Sequence, residues 1–305
     1  MSDRIRNFEN LELKFLGVSS GHSDSHTNAY FKPDPETLVF IDISMLNIEK
    51  ARKLLGWNLK RVIVLITHLH PDHASGVVSL AYAVKSVNRS VILEVVLHKN
   101  IALEATRMFD AMGGRESPPF GSKVEKGMPV YRLYGLDSVG DSDDYCFGSN
   151  GCTTSSTYLP KRLKFRKIDC LKEIISTRHS EKLRGAYGFW LEINGKSVVY
   201  SGDTLFISPF ITKLDSIAYN YGSEKEAELY LDISVRHSGL HLNWDYKTVD
   251  AITGMLRLMP NLKVILMHFD DNKGFAKKLL QERIENEIAE QFRDRIMLAQ
   301  EEQFN

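Results

Sequence analysis

The stretch Thr67-His68-Leu69-His70-Pro71-Asp72-His73 places three of the chain's ten histidines and an aspartate within one short run. Directly before it lies the apolar run Val62-Ile63-Val64-Leu65-Ile66. Consecutive apolar residues rich in β-branched side chains read as a buried strand. A strand ending in His-x-His-x-Asp-His carries imidazoles and a carboxylate to one point at its mouth, and these are the donors of a zinc-type hydrolytic site. The segment holds more donors than one ion needs from it. A two-metal site is therefore the first expectation.

Outward from this run, His73 to Val87 has the apolar spacing of a helix, so the donors sit at a strand-to-helix junction. Before it, Leu11 to Val18 reads as a strand, Ala29 to Lys32 and Thr37 to Ser44 as a hairpin-like pair around Pro33-Asp34-Pro35, and Asn47 to Leu55 as a helix. After it come a strand at Val91 to His98 and a helix at Asn100 to Met112 that Gly113-Gly114 stops. Residues 115 to 160, rich in Gly, Ser, Asp and Pro, read as a loop-rich insertion with one short strand at Val130 to Tyr134.

Regular patterning resumes with strands at Leu163 to Ile168, Ile174 to Arg178, Gly188 to Ile193, Ser197 to Tyr200, Leu229 to Val235 and Val264 to Met267. A helix is expected from Tyr246 to Leu258, and Ala276 to Leu298 has amphipathic helical spacing with a solvated charged face. There is no internal repeat. Two strand-rich halves with flanking helices predict one α/β domain over residues 1–305, two sheets packed together and covered by helices.

The bulk numbers narrow the function. Of 305 residues, 43% are hydrophobic and 26% charged, the balance of a soluble globular protein with a large core. Basic and acidic residues are equal at 39 each, so global charge offers no general nucleic-acid-binding surface. Three cysteines, Cys146, Cys152 and Cys170, argue against a disulfide framework and fit a reducing compartment. The polar start Met1-Ser2-Asp3-Arg4 lacks a signal-peptide core, and no apolar stretch is long enough for a membrane span. A cytoplasmic location is the expectation.

Other strand candidates end as the first one does. Asp42 closes Val39-Phe40-Ile41, His179 follows Ile174 to Arg178, Asp203 follows Val198 to Gly202, and His268 closes Val264 to Met267. Burying four such groups costs desolvation energy with no return unless they converge on an ion or on each other. A lone histidine beside a strand is more often structural than ligating. His98, His22 and His26 are read so, although the last two share a loop, Ser20 to His26.

In this order the motifs resemble the metallo-β-lactamase fold superfamily, from about Leu11 to His268. The resemblance implies a four-layer αββα sandwich, with two mixed β-sheets flanked by helices. It implies that His68, His70 and His179 hold one divalent ion, that Asp72, His73 and His268 hold a second, and that Asp203 bridges them. Asp42 would support the cluster from behind, and the loop of His22 and His26 would lie near the site mouth. Zinc is the expected metal; manganese and iron also suit the donors. Two such ions lower the pKa of a shared water, and metal-bound hydroxide would attack a phosphoryl or carbonyl centre, with Asp72 orienting it.

The run Tyr200-Ser201-Gly202-Asp203-Thr204 is similar to the branch that contains ribonuclease Z and the cyclic-nucleotide phosphodiesterases. That branch uses a further histidine in phosphodiester cleavage. His241 is the first candidate and His237 the second. As a general acid, such a histidine would protonate the leaving alkoxide. Where the branch has a His-Glu pair, this chain has Leu231-Asp232-Ile233-Ser234, with Asp232 left to orient the histidine. The tRNA endonuclease carries a long basic arm between its third-motif histidine and the bridging aspartate, and the interval from His179 to Asp203 is too short for one.

The resemblance thus implies a dinuclear metal phosphodiesterase acting on a small nucleotide, with cyclic nucleotides first. A ribonuclease Z-like tRNA 3′-processing endonuclease and a lactone or thioester hydrolase are the alternatives. It also implies a homodimer. Phe189, Trp190, Tyr219, Tyr221 and Trp244 could stack on a base, but core or surface packing is the commoner use of such aromatics.

Overall fold

In the computed structural model, residues 11–19, 26–114, 130–136, 146–147, 168–179, 185–234, 241–269 and 275–303 are described. The apolar run before the histidine cluster forms β4 (Arg61–Leu65), and Val62 to Ile66 are essentially without solvent contact. Burying each such side chain favours folding by about 1.5–3 kcal/mol. This strand lies at the middle of a sheet ordered β1 (Lys14–Gly17), β2 (Asn28–Asp34), β3 (Thr37–Ile41), β4, β5 (Leu93–His98), β6 (Tyr131–Leu136) and β7 (Cys146–Phe147). The β3 to β6 pairs are parallel, whereas β1–β2, β2–β3 and β6–β7 are antiparallel.

The second sheet runs β13 (Ile296–Leu298), β12 (Leu262–Met267), β11 (Ala227–Asp232), β10 (Lys196–Tyr200), β9 (Ala186–Ile193) and β8 (Leu171–Thr177). Its β10 to β13 pairs are parallel and its β8–β9–β10 edge is antiparallel. The β9–β10 hairpin turns at Asn194-Gly195, both at positive φ as a two-residue primed turn demands.

Helices α1 (Ile48–Leu54), α2 (Pro71–Ala74), α3 (Val77–Val87) and α4 (Lys99–Ala111) belong to the first half of the chain, and α1, α3 and α4 pack on each other or on β5 and β6. Helices α5 (Ser208–Tyr221), α6 (Tyr246–Leu258), α7 (Phe275–Glu287) and α8 (Glu290–Arg293) follow, with α5, α6 and α7 against β8, β10, β12 and β13. Two mixed sheets with helices outside make the expected αββα sandwich. Among the described residues no helix is long and apolar enough to cross a membrane.

The differences from the sequence reading have local causes. The helix expected from His73 breaks into α2 and α3 at Ser75-Gly76, because Gly76 closes against the strand-end loop: its N–H donates to Ile43 O at 2.9 Å. The helix expected to Leu298 ends at Glu287. Ile296–Leu298 instead adds a parallel strand to β12, a long-range pairing that helical periodicity cannot report. Helix α5, opened by Pro209 in its first turn, was not expected at all. Of the expected Leu163–Ile168 strand only Ile168, outside any strand, is described, and most of residues 115–160 lie outside the described residues.

Parallel register is what positions the site. Ile41 pairs with Leu65, Tyr200 with Tyr230 and Asp232 with Met267, so the carboxyl ends of these strands lie level. The residues at or just beyond those ends are brought together. These are Asp42, His68, Asp203, Asp232 and His268.

Candidate metal centre

The histidine cluster leaves β4 under tight backbone control. Ile66 N–H still bonds across to Val96 O, and Thr67 N–H then turns to the Asp42 carboxylate at 2.8 Å. His70 is extended, and Pro71 opens α2 with the φ that a first helical position requires. One turn of helix then sets Asp72 and His73 side by side. Ile43 N–H donates to His73 O at 2.7 Å, and the Asn28 side-chain amide donates to Asp72 O at 3.1 Å. Asn28 also accepts from Ser44 N–H and from Asn47, which clamps the loop after β3 to the loop after β4.

Two donor groups result. In the first, His68, His70, His179 and Asp203 present donor atoms within 4.8 Å of one another. His68 Nε2 and His70 Nδ1 are 3.0 Å apart, His70 Nδ1 and His179 Nε2 3.3 Å, and Asp203 Oδ2 lies 3.7 Å from both His68 and His179. In the second, formed by Asp72, His73, His268 and Asp203, His73 Nε2 is 3.4 Å from Asp72 and 3.3 Å from Asp203 Oδ1. His268 Nδ1 is 3.1 Å from the same Oδ1.

A tetrahedral ion with bonds of about 2.0–2.1 Å needs donors about 3.3 Å apart. The separations in both groups bracket that edge. His73 Nε2 and His268 Nδ1 are buried without a directed hydrogen bond among the described residues. Donors so arranged fit two divalent ions, with Asp203 offering one oxygen to each.

Two of the site residues adopt a strained backbone. Asp42 and His268 have φ of 58° and 66°, in the left-handed region that residues with a Cβ rarely occupy. Gly202, just before the bridging aspartate, has φ of 58°, and a Cβ there would stand 2.8 Å from Tyr187 O and 3.0 Å from the Thr67 side chain. Gly202→Val is therefore expected to push Thr67 off Asp42 and lower thermal stability by about 1–3 kcal/mol. An unchanged unfolding midpoint would count against this packing.

Behind the first group, Thr67 Oγ1 lies 2.7 Å from Asp42 Oδ2 and 3.0 Å from His68 Nδ1. His73 Nδ1 stands 2.8 Å from Asp42 Oδ2. Both leave Nε2 of His68 and His73 turned inward, the tautomer control that supporting carboxylates provide. Further along, Asp232 Oδ2 accepts from Thr204 N–H at 2.9 Å and lies 3.0 Å from His241 Nδ1, while Ser201 Oγ accepts from Asp232 N–H.

The electrostatics separate the histidines. Burial, reinforced by neighbouring imidazoles, holds His68 well below the ordinary value and lowers His70. Both present lone pairs near neutral pH. Burial acts against charge on His73 too, but Asp203, Asp42 and Asp72 outweigh it and hold that imidazole well above its ordinary value. Burial opposes ionisation of Asp203, yet His268 and His73 keep its carboxyl well below the usual range.

The signs then follow for metal-free protein. The raised His73 adds stability that is complete below about pH 6.5 and is lost as pH climbs through its folded value. The depressed Asp203 adds stability that is present above about pH 4 and is lost as pH falls through its folded value. These are two faces of one interaction. A metal must displace the His73 proton, so zinc uptake near pH 7 is expected to release a proton and to strengthen as pH rises. Calorimetry in two buffers of different ionisation heat measures this, and uptake without proton release would contradict it.

His68, His70, Asp72, His73, His179, Asp203 and His268 are brought together here, and Asp42 lies against Thr67 and His73. His241 also reaches the group: its Nδ1 is 3.8 Å from Asp203 Oδ2, and its ring lies 5.2 Å from that of His179 and 4.7 Å from that of His268. His237, His22 and Cys152 lie outside the described residues. His98 stacks on Tyr187 at 4.2 Å and caps α4, a structural use. His26 O accepts from Asn47 in the loop clamp.

Phe189 and Trp244 are core residues, Trp190 meets Tyr221 edge to face, and Tyr219 is 90% exposed on α5. Cys170 is buried, with its thiol pushed up to about 11 by burial. Thr67, Asn28 and Ser201 were missed as supporting residues. Only their neighbourhood to the motifs signalled them.

The "Metallo-beta-lactamase superfamily" family model matches residues 31–140. A ribonuclease Z of Nitrosopumilus maritimus is 30% identical over 88 residues, which is 28% of this chain and 29% of that protein, so the likeness spans under a third of the relative's length. A metallo-beta-lactamase fold protein, YhfI, of Bacillus subtilis superposes with a TM-score of 0.59 at 13% identity, covering 96% of each chain. Human tRNase Z, short form, gives 0.52 at 12% identity over 95% of this chain and 97% of that one. An isothiocyanate hydrolase from Delia radicum gut bacteria gives 0.51 at 12% identity, covering 94% of this chain and 96% of that one. The superfamily match runs from β2 past β6, and the sandwich of two mixed sheets has the metallo-β-lactamase fold.

Proposed function

We propose that this chain is a dinuclear metal-dependent phosphodiesterase acting on a small nucleotide, with cyclic mononucleotides the first class to test. The observation that carries the reading is the Asp232–His241 pair, 3.0 Å between carboxylate and imidazole, beside the two donor groups. Two bound divalent ions, zinc by default, would activate water near neutral pH and polarise the phosphoryl oxygens.

The chain's residues supply the rest. Asp72 orients the attacking water. Asp232 accepts from His241 Nδ1 and steadies the imidazolium, which leaves Nε2–H to protonate the departing alkoxide. An alkoxide is a poor leaving group, and a positioned acid is what its expulsion needs.

Ribonuclease Z-like tRNA cleavage is the second reading, supported by the identity to the Nitrosopumilus protein. A balanced charge of 39 basic against 39 acidic residues and the short interval between His179 and Asp203 favour the smaller substrate. Zinc- or manganese-loaded protein should be assayed on cyclic nucleotides, linear phosphodiesters, lactones, thioesters and a precursor tRNA. Cleavage of the tRNA with no cyclic nucleotide turned over would reverse the choice. His241→Ala is expected to slow phosphodiester turnover by about 10²–10⁴-fold while two ions stay bound. Unimpaired turnover of a lactone by that variant would favour the third class.

A further inference from the structure

The level carboxyl ends of β10, β11 and β12 assemble a third donor group. Asp203, Asp232, His241 and His268 each present a donor atom within 4.8 Å of the others. Asp203 and His268 already serve the second group, so the additional donors are Asp232 and His241. His241 Nδ1 stands 3.0 Å from Asp232 Oδ2. Donors about 2.0–2.1 Å from one zinc, at angles between square and tetrahedral, lie about 2.9–3.4 Å apart. The pair therefore spans the bite of an ion as readily as it shares a proton.

Asp232 points to a ligand on its own account. It is wholly buried, and its Oδ1 has no hydrogen-bond partner among the described residues. No lysine or arginine among the described residues forms an ion pair with it. A buried carboxylate with a bare oxygen and no lysine or arginine partner among the described residues is suited to a cation.

We infer that Asp232 and His241, with Asp203 and His268, form a third, weaker zinc site that excess metal fills, and that filling it inhibits turnover. The inference rests on the two-ion phosphodiesterase reading above. The site is weaker because Asp203 and His268 are shared. Asp42, Asp72, Asp203 and Asp232 also supply four negative charges, enough for two dications and not for three, so the third ion meets repulsion from the others. It inhibits because an ion on His241 Nδ1 replaces the proton held towards Asp232 and ends the residue's use as an acid.

The test counts bound zinc by elemental analysis after dialysis of the full-length protein against graded free zinc, with turnover measured in the same samples. Two ions at low zinc, a third in excess, and turnover falling as the third binds are expected. His241→Ala and Asp232→Asn should each stop at two ions in the same excess; the asparagine still offers an oxygen to Thr204 N–H, and circular dichroism checks that both variants fold. A wild-type protein that never exceeds two ions overturns the inference and leaves the two-ion reading standing. A third ion that persists in both variants is adventitious surface zinc and overturns it equally. Fewer than two ions in the wild type would sink both.

Discussion

Asp203→Ala is expected to yield a protein that retains neither ion tightly and turns substrate over at least about a hundredfold more slowly, the upper end for loss of a residue that merely supports a ligand. The size follows from where the two oxygens sit. Oδ1 is 3.1 Å from His268 and 3.3 Å from His73, and Oδ2 is 3.7 Å from His68 and from His179. No other carboxylate among the described residues belongs to both ligand groups, so its removal opens both at once. Without ions the variant also lacks the main counter-charge to His73, whose proton Asp203 does most to retain. Stoichiometric metal analysis and turnover measure the outcome. Two ions still held at full turnover would show that the geometry has been misread.

Asp42→Ala should be nearly as costly, by a different route. The carboxylate is fully buried and is itself in none of the donor groups. It accepts from Thr67 N–H and Oγ1 and pairs with His73 Nδ1 at 2.8 Å. Deleting one partner of such a buried pair leaves the other charge uncompensated, and we expect metal-free protein to lose about 3–5 kcal/mol on urea unfolding. Metal affinity at the His73 group should drop about 10–100-fold, because the imidazole loses the partner that fixes its tautomer. Asp42→Asn separates the two effects: it tolerates the left-handed backbone and can still meet Thr67, but it carries no charge for His73. An Asn variant as stable as the wild type would assign the loss in the alanine variant to packing.

How much of this was legible in the sequence depended on range. The apolar run Val62–Ile66 and the donors that follow it are local features. Hydrophobic periodicity reported the strand, and helix Tyr246–Leu258 was placed to the residue. Failures came where distant partners decide. Ile296–Leu298 continues an amphipathic pattern in sequence but becomes a strand, because β12 offers it an open parallel edge and its inward side chains are buried there. Helix α5 went unseen because only part of its surface is apolar and its buried Phe210, Leu214 and Ile217 face a sheet that sequence does not show.

The site divides in the same way. The sequence by itself determined the donor types: which side chains are suited to metal, and that they follow strands. Ligand identity is a property of residue type, and a strand end is a property of local pattern. Only the tertiary structure decided convergence, since parallel register across two sheets is what brings Asp203 and His268 to the His68–His73 run. It also decided the second tier. That Asp42 meets His73 and that Asp232 meets His241 follows from packing and a left-handed backbone at strand ends, which no spacing along the chain encodes.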